Sequence, residues 1–257
     1  MNTSLKRPPF DRFHAELKSK EMVNNMKTLI LIPAYNEAKN IVQTVVTLQK
    51  ECPDIDYVIV NDGSKDETAL ICRENNLKLL DLPINLGLAG AFQLGMQYAF
   101  KHGYDAVLQF DGDGQHKPEY IAELCNTLSD NDCDIVIGSR FLDGKKSFSG
   151  RMVGSSFLSF LILIVSRVKI TDPTSGMRLY NKKLINEFAW NPNYDPEPDT
   201  LAYLMRTGVK VKEVAVTMKE REHGESYLNF TAALKYMLRT SISILFIQWF
   251  RKRGLTK

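Results

Sequence analysis

Apolar runs of strand length alternate with stretches of helical spacing from Thr28 to Gly138, and this alternation restricts the fold more than any other feature. Thr28–Pro33 (TLILIP), Asp56–Asn61 (DYVIVN), Leu77–Leu82, Ala106–Phe110 and Asp134–Gly138 (DIVIG) read as strands. Between them, Glu37–Lys50 repeats Ile41, Val45 and Leu48 at helical intervals. Asp66–Glu74 follows Ser64 as an N-cap, with Glu67 three residues on in capping-box order. Gly87–His102 is also helical, as is Pro118–Leu128, which carries proline in its first turn. A βαβα order of this kind predicts an α/β fold, with a mostly parallel sheet covered by helices on both faces. At 257 residues, 44% of them hydrophobic, the chain can bury one such core.

In sheets of this type, ligands bind beyond the carboxyl ends of the strands. The polar motifs gather there: PAYNE after the first strand, NDGSKD after the second, NLGLAG after the third and DGDGQH after the fourth. Asp62 can accept a hydrogen bond from a nucleotide base, or simply belong to a capped turn. Asn85–Ala91 is a loop of small residues opening a helix; its glycines serve either close approach to a ligand or helix–strand packing. It is not G-x-G-x-x-G, and no Walker A motif occurs. Asp111, Asp113 and Gln115 alternate on one short extended or turning segment, and alternation is expected to direct all three side chains to one side. Their hard oxygens suit Mg²⁺ or Mn²⁺, whereas a solvated turn is the plainer reading. His116 can coordinate as well or be structural. Arg140, Arg151, Arg178 and Arg221 are cations able to meet phosphates, and Arg140 directly follows the fifth strand. Glu197 and Asp199, in PEPD, sit on a stiff loop that is either plain surface or part of an active site.

Net charge is +3, but the last thirty residues hold Lys235, Arg239, Arg251, Lys252, Arg253 and Lys257 and no acid, so the remainder is net negative by three. This asymmetry predicts a membrane surface or another anionic partner for the tail, and nucleic acid is not expected. Phe157–Val165 (FLSFLILIV) and Ile242–Phe250 (ISILFIQWF) are far shorter than the roughly 18–20 apolar residues of a membrane span. The first reads equally as core or interface helix; the second, with Trp249 beside a basic cluster, reads as an interface helix. Cys52, Cys72, Cys125 and Cys133 show no zinc spacing and are expected to be reduced thiols in a cytosolic chain. Residues 1–25 lack an apolar signal core and read as an appendage.

Together LIPAYNEAKNI, VIVNDGSKDET, NLGLAGA, DGDGQHKPE, GSRF, TDPTSGMRLY and REHGES resemble the family 2 glycosyltransferases of GT-A fold over about residues 26–227. Within them the chain looks most like the polyprenyl-phosphate glycosyltransferases, the dolichyl-phosphate mannose synthase-like group, on its bacterial undecaprenyl-phosphate branch. The resemblance implies a catalytic domain over 26–227, with an interface helix near 151–167, and a basic amphipathic tail over 228–257. It implies donor-nucleotide contacts at Pro33, Ala34, Tyr35, Glu37, Asp62, Gly87 and Asp111. It implies a Mg²⁺ or Mn²⁺ ion on Asp111, Asp113 and Gln115, and phosphate or acceptor contacts at Ser139, Arg140, Arg151, Arg221 and Ser226. Tyr227 follows GES where relatives often carry Lys or Ser.

The implied reaction moves a hexose, from UDP-glucose or UDP-N-acetylglucosamine rather than a GDP-sugar, to a polyprenyl phosphate at the cytoplasmic membrane face, with inversion. Asp113, Arg140 and Asp199 are the candidate catalytic residues, Asp199 or Glu197 serving only if a base is required. Several relatives continue into transmembrane helices, so a separate small integral-membrane protein is a candidate partner. A hydroxyl acceptor on a polysaccharide or protein, and a non-catalytic nucleotide-sugar-binding scaffold, are the competing readings. A nucleotidyltransferase would want a basic glycine-rich loop, which PAYNEAKN lacks.

Overall fold

The structure, a computed structural model, describes residues 26–130, 132–143, 150–219, 230–246 and 250. The N-terminal appendage, Arg221, Ser226, Trp249 and the last basic residues lie outside them, as does the side chain of Arg151.

The strands are β1 (Thr28–Ala34), β2 (Asp56–Asn61), β3 (Leu79–Asp81), β4 (Ala106–Gln109), β5 (Ile135–Ser139), β6 (Arg178–Asn181) and β7 (Val211–Ala215). The helices are α1 (Ile41–Glu51), α2 (Thr68–Glu74), α3 (Gly87–Lys101), α4 (Ile121–Asp130), α5 (Gly150–Ser166), α6 (Lys182–Trp190), α7 (Pro198–Arg206) and α8 (Phe230–Leu245). One seven-stranded sheet runs β3-β2-β1-β4-β6-β5-β7. The pairs β3–β2, β2–β1, β1–β4 and β5–β7 are parallel; β6 lies antiparallel between β4 and β5. The chain leaves β1 in one direction for β2 and β3, then returns to its other side for β4. That reversal opens a crevice at the carboxyl ends of β1, β2 and β4.

The strands are apolar on both faces, as burial on both faces requires. Leu29, Leu31, Val58, Val60 and Val107 pack under α3, α5, α6 and α7. Ile30, Ile32, Ile59 and Leu108 face α1, α2 and α4 on the other side. Phe92, Tyr180 and Phe188 meet edge-on, with ring centroids 5.2–5.5 Å apart, and lock α3 to β6 and α6.

Several boundaries differ from the sequence reading. The helix expected from Glu37 starts at Ile41, because Asn36 takes a left-handed backbone (φ 58°) and residues 38–40 form a turn. Ser64 is not an N-cap: its hydroxyl accepts from Asn36 N (2.9 Å), and Asp66 Oδ1 accepts from Thr68 N instead. The Pro118 helix begins as a 3₁₀ turn, Pro118–Tyr120, before α4.

Phe157–Val165 proves to be both core and surface. In α5, Leu158, Leu161 and Ile162 are buried, while Val153, Phe157, Phe160 and Ile164 form an exposed stripe. In α8, Leu234, Leu238 and Ile242 are exposed, and beyond the helix end at Leu245 Phe246 and Phe250 are exposed as well. The two helices touch at Gly154, where a Cβ would stand 3.4 Å from Met237 Sδ. Among the described residues, no helix is long and apolar enough to cross a membrane.

Gly63 has φ +60°, and a Cβ there would stand 2.4 Å from the Ile84 carbonyl carbon. Gly103 has φ +68° with open space around it. Gly63→Ala should cost about 2–4 kcal/mol from backbone strain and overpacking combined. Gly103→Ala should cost only the strain, about 1–2 kcal/mol. Urea unfolding midpoints check the difference; equal shifts would contradict the close contact.

Candidate active site

Two loops at the strand ends brace each other. Asn36 N donates to Ser64 Oγ (2.9 Å), and Lys65 N donates to Asn36 Oδ1 (2.8 Å). Glu37 N donates to Thr68 Oγ1 (2.9 Å), and Ala38 N to Asp66 Oδ2 (3.1 Å). Short polar side chains suit this work because they bond nearby backbone groups that the strands cannot satisfy. Asp62 is 3% exposed; its N–H donates to Ala34 O (2.9 Å), and its Oδ1 accepts from Leu86 N (2.7 Å) just before α3. A carboxylate at a helix N-terminus is electrostatically favoured.

The result is a cleft of about 470 Å³ in the crevice beside β1. Pro33, Ala34, Tyr35, Glu37, Asp62, Gly87 and Asp111 all line it, joined by Asp113. Residues expected from four separate motifs therefore converge on one wall. Asn85, at the start of the small-residue loop, also lines it, and its side-chain amide donates to Asp62 O (3.1 Å).

The DGDGQH segment turns rather than running extended, with Gly114 at φ +77°. This corrects the expectation that alternation would align three side chains. Asp111 and Asp113 face the cleft, but Gln115 is absent from its lining. The Gln115 side-chain nitrogen donates to Lys219 O (3.3 Å), and Lys219 N donates back to Gln115 O (2.9 Å). Asp113 Oδ1 accepts from Gln115 N (3.1 Å). Asp113 also walls a second polar cleft of about 380 Å³ beside α1, where Lys39 and Lys219 stand.

The donor set fits a hard divalent cation. Two carboxylates open on the cleft, and the Gln115 hydrogen bond uses nitrogen, leaving the amide oxygen as a possible third donor. Among the described residues, no three Asp, Glu, His or Cys side chains gather as a metal cluster. Mg²⁺ and Mn²⁺ tolerate so few protein ligands when waters and phosphate oxygens complete the shell.

The cationic side is more constrained than the sequence suggested. Arg140 Nε and Nη2 donate to Asp172 (2.6 and 2.7 Å), and Nη2 also donates to Thr174 (2.8 Å). Asp172 is fully buried. Burial pushes its carboxyl up, but the Arg140 guanidinium and N–H outweigh this and hold it below the usual carboxylate range. Arg140 is thus a paired charge, with little net field to offer a phosphate. Ser139 is buried, its hydroxyl 2.7 Å from Thr171 Oγ1. Glu213 fixes the same loop by accepting from Thr171 N (2.8 Å) and Asp172 N (3.0 Å).

Arg178 is 3% exposed and is not a phosphate cation at all. It donates to the carbonyls of Ser175 (2.8 Å), Pro196 (2.9 Å) and Pro173 (2.5 Å). Asp199 is buried and Glu197 half-buried, and both face α8. Tyr236 Oη donates to Glu197 Oε2 (2.6 Å), and Ser243 Oγ donates to Asp199 Oδ2 (2.5 Å). Burial holds the Glu197 carboxyl above its ordinary range despite the Tyr236 hydrogen bond. Neither acid lines the cleft beside β1. Asp172 and Glu213 were not singled out from sequence; only their place beside recognised motifs marked them. Arg221 and Ser226 fall in the segment entered from Lys219.

Comparison with known proteins agrees with this architecture. The profile described as Glycosyl transferase family 2 matches residues 29–188. An undecaprenyl-phosphate mannosyltransferase of Micrococcus luteus is 29% identical, over 79% of this chain and 88% of that protein. A UDP-N-acetylglucosamine–dolichyl-phosphate N-acetylglucosaminyltransferase of Methanococcus voltae is 31% identical, over 73% of this chain and 83% of that protein. Among solved structures, glucosyl-3-phosphoglycerate synthase of Mycobacterium tuberculosis, in complex with Mn²⁺, UDP-glucose and phosphoglyceric acid, superposes with a TM-score of 0.70. That match covers 99% of this chain and 89% of the other at 16% identity, a likeness of fold. With the family profile spanning the whole crevice-forming half of the sheet, the chain belongs to glycosyl transferase family 2 and is a glycosyltransferase of GT-A-like fold.

Proposed function

We propose that this enzyme transfers a hexose from a nucleotide sugar, UDP-linked rather than GDP-linked, to a polyprenyl phosphate such as undecaprenyl phosphate. The observation that carries the reading is the single cleft that collects Pro33, Tyr35, Glu37, Asp62, Asp111 and Asp113 at the sheet's reversal point. The named relatives support a polyprenyl or dolichyl phosphate acceptor. The UDP-sugar named in the Methanococcus voltae relative and the UDP-glucose complex of the fold neighbour support UDP.

In this reading Asp62 meets the base, while Tyr35 and Glu37 line the nucleotide end. Asp111 and Asp113 hold Mg²⁺ or Mn²⁺, with the Gln115 oxygen as third protein ligand. A bound divalent ion would stabilise the charge that gathers on the departing diphosphate. The acceptor phosphate oxygen attacks the anomeric carbon opposite the leaving group, which inverts that centre. A lipid phosphate is already anionic at neutral pH, so no residue need remove a proton from it. The engagement of Glu197 and Asp199 with α8 agrees with this, since both are committed to structural hydrogen bonds. Arg140 then orders the Asp172–Thr174 loop, and Arg151, Arg221 and Ser226 are the proposed phosphate contacts.

The exposed stripes of α5 and α8 are proposed to lie on the cytoplasmic face of a membrane, with the catalytic domain over 26–227 and the basic tail alongside. Both helices reach the acceptor side of the site: Ser155 Oγ donates to Asp172 (3.2 Å), and Tyr236 to Glu197. An acceptor drawn from the bilayer would thus approach along this packed pair.

Incubation with labelled nucleotide sugars and undecaprenyl phosphate should yield a labelled lipid; label appearing only in water-soluble product would overturn the acceptor. Asp113→Ala should lower transfer by at least about a hundredfold while the thermal melt is retained, and chelator should abolish wild-type transfer. Full activity in chelator would remove the metal from the reading.

Asp199→Asn retains an acceptor oxygen for Ser243 and should keep near-normal turnover. A loss of several orders of magnitude would instead identify a base and favour a hydroxyl acceptor.

Phe160→Ser with Leu238→Ser removes two exposed apolar side chains, each worth about 2 kcal/mol when fully buried. Binding to protein-free anionic vesicles should weaken at least about tenfold. Unchanged sedimentation would exclude these stripes, and no vesicle binding by the wild type would point to a protein partner.

A further inference from the structure

His116 is left without a role by the reading above, yet it is 4% exposed and stands against the first carboxylate of the cleft. Its Nδ1 accepts the backbone N–H of Asp111 at 2.9 Å. A ring nitrogen that accepts carries no proton, so the proton of the neutral ring sits on Nε2. Nε2 lies 3.4 Å from Oδ2 of the same Asp111. One imidazole therefore addresses both the main chain and the side chain of one aspartate. The ring is itself fixed edge-on to Phe110, with centroids 5.2 Å apart.

Two further contacts restrain the Asp111 carboxylate, which otherwise opens on the cleft. Gly176 backs it so tightly that a Cβ would stand 2.7 Å from Oδ2. Gln109 Nε2 lies 3.5 Å from Oδ1, and Gln109 is itself 2% exposed. With backbone and carboxylate both held, the Asp111 side chain has little rotamer freedom to lose when it takes a ligand. With Nδ1 occupied by the Asp111 N–H, the Nε2 that carries the ring's proton has no lone pair for a cation.

We infer that His116 is a positioning residue, a neutral arm that orients Asp111 toward a divalent cation without binding the cation itself. This rests on the metal reading given above. Groups that orient a ligand in this way typically contribute 10- to 100-fold to metal affinity.

The test is Mn²⁺ binding, followed by electron paramagnetic resonance in the presence of UDP, for wild type, His116→Ala and His116→Asn, each checked by thermal melt. His116→Ala should raise the apparent Kd by about 10- to 100-fold. His116→Asn, whose side-chain oxygen can still accept from Asp111 N–H, should recover part of that loss. If His116→Ala does not fold, weaker binding by His116→Asn than by wild type supports the inference, and equal binding overturns it. Spin-echo modulation from a directly bound ring nitrogen in the wild type would also overturn it, because His116 would then be a ligand. Wild-type affinity in His116→Ala overturns the positioning role alone. Absence of Mn²⁺ binding by the wild type, with UDP present, overturns the metal reading and this inference with it.

Discussion

The buried guanidinium of Arg178 is the interaction on which the 173–176 loop and the segment around Pro196 depend. A fully desolvated arginine is costly unless its fork of donors is met. Here three carbonyls from two loops meet it, those of Pro173, Ser175 and Pro196. Arg178 stands opposite Gln109 in the β4–β6 register, two residues before Asp111. It therefore ties the 173–176 loop to the floor of the DGDGQH turn, where Gly176 backs Asp111. Through Pro196 it also anchors the segment whose acids hold α8. The antiparallel insertion of β6 is what brings these pieces to one place.

The parallel half of the fold was legible because nearly every β1, β2 and β4 residue is buried on one face or the other. Burial on both faces produces uninterrupted apolar runs such as TLILIP and DYVIVN, which periodicity detects. The second half was less readable for a physical reason. RLYN in β6 is buried yet begins with the charged Arg178, so its polarity hides a central strand. The start of α1 was misplaced because the left-handed turn at Asn36 depends on Ser64 and Lys65, nearly thirty residues away.

The convergence of the cleft-lining residues was almost fully legible, since they sit on tight turns that directly follow strands. What sequence could not show was pairing. Arg140, Arg178, Glu197 and Asp199 all looked like chemical groups, and each proves bound by partners distant in the chain. Asp172 and Glu213, which hold the loop beside Arg140, have no local pattern to reveal them. Charge alone marks a residue as notable; only tertiary contact decides whether that charge faces a ligand or a neighbour.

The contact of α5 with α8 at Gly154 has a consequence for how the protein meets any apolar plane. Each helix carries a narrow stripe that would hold weakly by itself. Because the helices are packed on one frame, engagement of one stripe leaves the other to bind intramolecularly, at an effective concentration set by the frame rather than by bulk. Two feeble contacts then act as one durable attachment, and a rigid pair also sets tilt. A plane gripped along two lines leaves the crevice at a constant height and angle above it.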